Sequence, residues 1–472
     1  MRQYFVKLES DHSVPIGTPG HGFSGFLDIV VNDNTLLANQ SNAQTVLKAT
    51  ASKFGQNPDD LFTLIHDDLN NNDADRDQQT GIFGFPAHRD LMGRRVSARN
   101  AVVEAENKTS KLTLQLTSLV TKVLFNTEER TPEAIGVEYL FGKSMYAADP
   151  RYNVSNIGIT KRAFARKEVI LSGGVFNTPQ LLKLSGIGPA ADLKSFGIPV
   201  LIDNPGVGAN LQDNNEFGVI ATASEEFTTL APACTYGAPG DPCLAAWEGG
   251  TGPYAQGPLE AILYKSANAT ERDVFIWGTS SSYRGYWPSS AENVVEPVDG
   301  PNTWGFAMVK MNLGIESTAG TVVLKSSDPR DVPEINFRFF TTPDNGAAEL
   351  AAMADAVNFG RDVLSSVATP LGPFTENFPC VNGTGTCDVE ETIKTQTWSH
   401  HATSTCAIGS VLDPDFRVMG VRNLRVVDGS AFPRTPGAFP VVPTFMISEK
   451  ASVVIARDGG FMRSDVQRGQ TA

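Results

Sequence analysis

The sequence predicts a doubly wound α/β domain interrupted by an α+β domain with an antiparallel sheet. Three observations carry this. First, residues 168–171 form an apolar strand pattern that runs into Ser172-Gly173-Gly174 and then a helix. Thr178 suits the N-cap of that helix, Pro179 its first turn and Gly186 the residue just past its end, which gives one half of a doubly wound unit. Second, the character changes over 226–395. Pro/Gly/Ser-rich loops at 231–257 and 287–302 separate strand patterns at 273–277, 305–313 and 320–325, and an Ala- and Leu-rich helix follows at 345–366. Strands in a run and then a helix point to an α+β unit. Third, the chain returns to the first domain at about 396. The domains are therefore read as 1–225, 226–395 and 396–472.

The remaining elements follow in order. A strand-like run spans 26–31, and helices are expected at 42–54 and 58–67. The polar stretch 70–79 reads as an exposed loop. A cationic segment at 93–98 precedes a further helix. Strand patterns recur at 112–116, 120–125 and 135–139. There are no internal repeats.

A chain of 472 residues suffices for two domains and a large core. It is 41% hydrophobic and 19% charged, an ordinary globular composition. Its 38 basic and 52 acidic residues leave a net charge of −14, which argues against nucleic acid or an anionic membrane as partner. No apolar run approaches the roughly 20 residues of a membrane helix. Cys234 and Cys243 bracket one Pro/Gly loop, and Cys380 and Cys387 bracket another, so each pair can close a short disulfide. Cys406 is left as a buried thiol. Sequons stand at Asn39, Asn107, Asn153, Asn268 and Asn382. Together these favour an extracellular, glycosylated protein, the alternative being reduced cysteines spaced by chance. No Cys/His cluster has zinc-ligand spacing, so no metal is expected.

His400 and His401 stand side by side within Ser399-His400-His401-Ala402-Thr403-Ser404-Thr405-Cys406. A histidine among small polar neighbours can be held by the backbone with one ring face open, which suits a general base; a satisfied structural pair is the plainer alternative. Downstream come Val426-Val427-Asp428-Gly429-Ser430 and then Thr444-Phe445-Met446-Ile447-Ser448-Glu449-Lys450. These blocks resemble the C-terminal part of the glucose-methanol-choline (GMC) oxidoreductases, FAD-dependent enzymes that oxidise alcohols. Residues 174–188 are similar to the family's second signature, with Val175 where a smaller residue is usual. Residues 207–213 are similar to another family block. The blocks occur in family order. The family opens with a strand, a G-x-G-x-x-G turn and a helix that meets the cofactor pyrophosphate. That unit is not found here, and Met1-Arg2-Gln3-Tyr4-Phe5 looks like the family's middle. The resemblance thus implies an incomplete FAD-binding doubly wound domain with an antiparallel-sheet substrate domain. The adenosine diphosphate half of FAD loses its main anion site, and the parallel sheet loses its usual central strands.

The resemblance assigns roles by position. His401 matches the catalytic base, which takes the hydroxyl proton while hydride leaves for the flavin. The family's second active-site position carries His or Asn; here it is Phe439. Phe439 then packs on an aromatic or apolar substrate, and His400 replaces the missing polar partner. Ser404 stands where glycine is usual, and its hydroxyl is expected to shift or bond His401. Val120 matches the adenine-contacting position, and Ser172 and Gly173 lie at the turn by the dinucleotide. Asp428 and Gly429 offer backbone to the pyrophosphate and ribityl chain, and Pro440 and Val441 lie along the pyrimidine ring. Thr444 caps the last helix toward the flavin. The implied partners are a small alcohol and oxygen or a quinone as electron acceptor. Because of Phe439 and the missing unit, non-redox chemistry or a cofactor-poor remnant are the competing readings.

Overall fold

The computed structural model describes residues 1–33, 35–228, 234–235, 238–285, 300–311, 317–342, 346–381 and 383–461. The sequon at Asn382, the strand reading at 312–313, most of the loop at 287–302 and the start of the helix at 345 fall outside them.

Six strands make one antiparallel sheet. Its order is Thr375–Phe378, Asn215–Thr222, Thr303–Lys310, Val274–Thr279, Ala261–Tyr264 and Gly81–Phe83. Both faces are covered, so Thr303–Lys310 is buried at all eight positions. The side-chain period of two decides which residue faces what. Ile262, Val274, Ile276, Phe306 and Met308 face a helical layer formed by Gly346–Ser365 and Ser41–Lys53. Ala261, Leu263, Phe275 and Val309 face the other way, where Phe85 and Phe439 join them. Each such aliphatic or aromatic side chain contributes about 1.5–3 kcal/mol on burial. The helix comes close to the sheet at Gly360, where a Cβ would lie 2.8 Å from Met308 Cε and 3.4 Å from Phe306 and Val219. Two strands of this sheet, Gly81–Phe83 and Asn215–Thr222, precede residue 226.

The other lobe is built on short parallel pairs. Glu9–Asp11 lies parallel to Leu27–Val30, and Val169–Leu171 to Leu424–Val426. A three-stranded meander, Ser118–Asn126, Glu133–Phe141 and Ile159–Phe164, packs beside them. The strand expected at 112–116 does not form. Its alternating leucines find no ladder partner among the described residues, and Leu116 stays 72% exposed. The helix expected at 58–67 is a 3-10 turn, Pro58–Asp60, followed by Leu61–Leu64.

The helix after Val169–Leu171 starts earlier than the sequence suggests. It spans Gly174–Leu184, with Gly173 as N-cap, so Thr178 and Pro179 lie inside it. Thr178 is buried; its hydroxyl donates to Asp428 Oδ2 at 2.6 Å and accepts from the Gly173 N–H at 3.0 Å. Pro179 has no N–H for the carbonyl of Val175 one turn back. The Thr405 hydroxyl donates to that carbonyl instead, at 2.6 Å. Gly186 ends the helix at φ +86°, as its position suggests. Both expected disulfides are formed, Cys234–Cys243 and Cys380–Cys387, and Cys406 is a buried thiol. Among the described residues no helix is long and apolar enough to cross a membrane.

Candidate functional site

The histidine block is clamped against the entry to strand Asn215–Thr222. Gln212 and Thr403 exchange backbone hydrogen bonds, as do Glu216 and Trp398. Between these clamps the backbone of 399–401 bulges, and Asp213 fills the gap. Its Oδ1 accepts from the His401 N–H and the Asn214 N–H, each at 2.8 Å, and from the Ser399 hydroxyl. Burial pushes the Asp213 carboxyl up to about 7, against the pull of those hydrogen bonds. Asn214 faces the other way: its amide donates to the carbonyls of Gly437 at 2.9 Å and Ala438 at 2.6 Å. Two adjacent residues thus hold both site segments, the histidine pair and the turn before Phe439.

The His401 ring stands edge-on to Phe439, with centroids 5.0 Å apart at 89°. Phe439 is backed by Phe275 at 4.9 Å and Phe85 at 6.1 Å. His401 is buried, with only 6% of its side chain exposed, so its ring is more enclosed than the small neighbours suggest. His400 is 42% exposed and stacks on Trp398 at 5.2 Å and 8°. Glu216 Oε1 lies 3.0 Å from Nδ1 of both His400 and His401. Neither contact has hydrogen-bond direction: both Glu216 oxygens and His401 Nδ1 are buried without a hydrogen-bond partner among the described residues. His401 Nε2 also makes no hydrogen bond among them, which leaves it for a ligand. Ser404 sits at φ +78°, and its hydroxyl pairs with Thr403 at 2.9 Å rather than with His401.

The residues expected near the dinucleotide stand where two parallel strands end together. Leu171 pairs with Val426, so Ser172-Gly173 and Val427-Asp428 leave the sheet side by side. Crevices at the carboxyl ends of such strands are where α/β sheets bind ligands. Ser172 and Gly173 are exposed there. The Asp428 carboxylate is fully used by the Ser430 N–H and hydroxyl and by the Gly174 N–H and Thr178 hydroxyl. The Asp428 carbonyl accepts from Ala431 and the Gly429 carbonyl from Ser404, so the N–H groups of Asp428 and Gly429 remain for a ligand. A Cβ on Gly429 would lie 3.3 Å from Val175 Cγ2, so a side chain there would crowd this wall. Pro440 is the N-cap of helix Val441–Asp458, and Val441 is exposed at its first turn. Thr444 does not cap this helix: it lies one turn in, and its hydroxyl donates back to the Pro440 carbonyl at 2.7 Å. Val120 is half-buried opposite Tyr139, on a strand that packs against helix Gly174–Leu184. Exposed turn backbone and an open helix N-terminus on one side of His401 fit the flavin half of FAD.

Asp213, Asn214 and Glu216 escaped the sequence reading as functional residues. The block 207–213 flags the first, but nothing local ties Glu216 to a histidine 185 positions away.

The family model described as GMC oxidoreductase matches twice, over residues 62–216 in its N-terminal form and over 316–448 in its C-terminal form. Human mitochondrial choline dehydrogenase is 31% identical over 82% of this chain and 61% of its own length. The oxygen-dependent choline dehydrogenase of Pseudomonas fluorescens is 31% identical over 86% of this chain and 67% of its own length. The chain therefore spans about two thirds of the length of these relatives. Among solved structures, a formate oxidase of Aspergillus oryzae superposes with a TM-score of 0.75 at 20% identity, covering 98% of this chain and 78% of that one. With the antiparallel roof, the strand-end crevice and the histidine block in place, these matches establish that the chain belongs to the GMC oxidoreductase family.

Proposed function

We propose that this chain forms the catalytic part of an FAD-dependent oxidoreductase acting on the CH–OH group of a small alcohol, with His401 as the base. FAD, when bound, supplies the hydride acceptor. The observation that carries the reading is the environment of His401: Nδ1 faces a buried carboxylate, Nε2 is unbonded, and the ring stands against Phe439, the residue before the N-cap of the last helix. A base so held takes the hydroxyl proton at Nε2 and eases departure of hydride from the same carbon, a contribution of about 10²–10⁴-fold. Glu216 stabilises the imidazolium that results. Asp213 holds the His401 backbone, and Asn214 sets the height of the Phe439 wall. Backbone of Ser172, Gly173, Asp428 and Gly429, the Pro440–Val441 turn and the Val120 strand are the groups that would hold the cofactor. Oxygen or a quinone then accepts the electrons.

The Phe439, Phe275 and Phe85 wall supports an aromatic or apolar alcohol. A second substrate class is favoured by Glu216. A buried carboxylate beside stacked Trp398 and His400 suits a cationic amino alcohol, and relatives of this chain are choline dehydrogenases. The two disulfides and the sequons support an extracellular location. The test is flavin reduction. The FAD-loaded protein is mixed with benzyl alcohol or with choline under anaerobic conditions, and bleaching of the visible band is followed. One of the two should bleach the wild type, and His401→Ala should slow that bleaching by at least about 10²-fold. Equal rates in wild type and His401→Ala would remove the histidine from the reaction.

A further inference from the structure

Glu216, His400 and His401 place one carboxylate and two imidazoles around a single point. Glu216 Oε1 is 3.0 Å from Nδ1 of each ring, and the two rings are 4.0 Å apart. Two donors held at about 2.1 Å by one ion lie about 3.0–3.4 Å apart for bond angles between 90° and the tetrahedral value. The two carboxylate–nitrogen spacings sit at the short end of that range, and one ligand atom from each of the three residues lies within 4.8 Å of the others. A hydrogen bond is the alternative use of such a distance, but it requires an N–H aimed at the oxygen. Here His401 Nδ1 and both Glu216 oxygens are buried and meet no hydrogen-bond partner among the described residues.

We propose that Glu216, His400 and His401 form a site for a first-row divalent cation of the zinc class, with imidazole nitrogens selecting against magnesium and calcium. Zinc there is chelated by the Nδ1 atoms of both histidines and by the Glu216 carboxylate, whose second oxygen is also available. His400, half-exposed at the mouth, gives the ion a way in. The ion holds the His401 ring and draws electron density from it, so zinc occupancy opposes the base function and makes this an inhibitory site. The binding claim stands on geometry and does not require the oxidoreductase reading.

The full chain is stripped with a chelator and titrated calorimetrically with zinc chloride. A second place for zinc is the buried trio Glu9, Asp11 and His21, so the variants must separate the two. The expected result is an equivalent that His400→Asn and Glu216→Gln each weaken at least tenfold and that His21→Asn leaves in place. His400 is half-exposed, so its substitution keeps the fold even if Glu216→Gln does not. Absence of zinc binding up to millimolar concentration overturns the proposal. So does an equivalent retained unchanged in His400→Asn. Because the readout is heat of binding to the protein, failure of alcohol oxidation leaves this result untouched.

Discussion

Substituting Thr178 separates two accounts of one residue. As a helix N-cap it would tolerate Asp or Asn, since both cap as well as Thr. In the structure its hydroxyl instead bridges Gly173 and the buried Asp428, 2.6 Å from Oδ2. Thr178→Val removes a hydrogen bond to a charged acceptor, worth about 1.5–3 kcal/mol. The Gly173 N–H is exposed and regains water, so about 2 kcal/mol is the expected loss. Thr178→Asp places a second carboxylate beside Asp428. At about 4 Å and an effective dielectric of about 20, the repulsion is about 4 kcal/mol, before any cost of burying the new charge. The order of stability is then wild type, Val, Asp. The assay is equilibrium urea unfolding at neutral pH, comparing midpoints at constant slope. A Thr178→Asp protein that unfolds at the wild-type midpoint would show that the bridge to Asp428 carries no weight.

Two further outcomes follow from the same region. Thr405→Val leaves the Val175 carbonyl without a donor and should cost about 1–3 kcal/mol; in a Pro179→Ala background the restored N–H takes that carbonyl, and a double-mutant cycle should show coupling of about 1 kcal/mol or more. Asp213, raised from 3.8 to about 7 mainly by burial, binds its proton more tightly in the folded than in the unfolded chain. Its contribution to stability is therefore full below about pH 3.8 and is lost as pH rises toward 7. Asp213→Asn keeps an acceptor for Ser399, Asn214 and His401 and should remove that slope, so thermal unfolding of wild type relative to the variant should worsen between pH 4 and pH 7. A constant difference across that window would refute the assignment.

Local pattern made much of the scaffold readable. Two of the six roof strands, Val274–Thr279 and Thr303–Lys310, show in the sequence as apolar runs at 273–277 and 305–313, whereas the other four, short or broken by polar residues and glycine, do not stand out. Gly186 ends its helix as a glycine should. Thr178-Pro179 misled because it looks like a helix start, whereas Gly174, at φ +83°, begins the turn four residues earlier. Its true partner lies 250 positions away. Leu112, Leu114 and Leu116 alternate like a strand but have nothing to pair with, and pairing is what stabilises a strand. The histidine pair stands out in composition. Glu216 does not, because a carboxylate at the entry to an apolar strand becomes meaningful only when the sheet brings it to the histidines.

The strand Asn215–Thr222 is both a rib of the roof and the beam on which the histidines rest. Glu216 pairs with Val309 in the sheet and exchanges backbone hydrogen bonds with Trp398. A shift of this strand within the sheet is thus passed through Trp398 to the segment that carries the imidazoles, so a substitution deep in the roof can displace them from a distance.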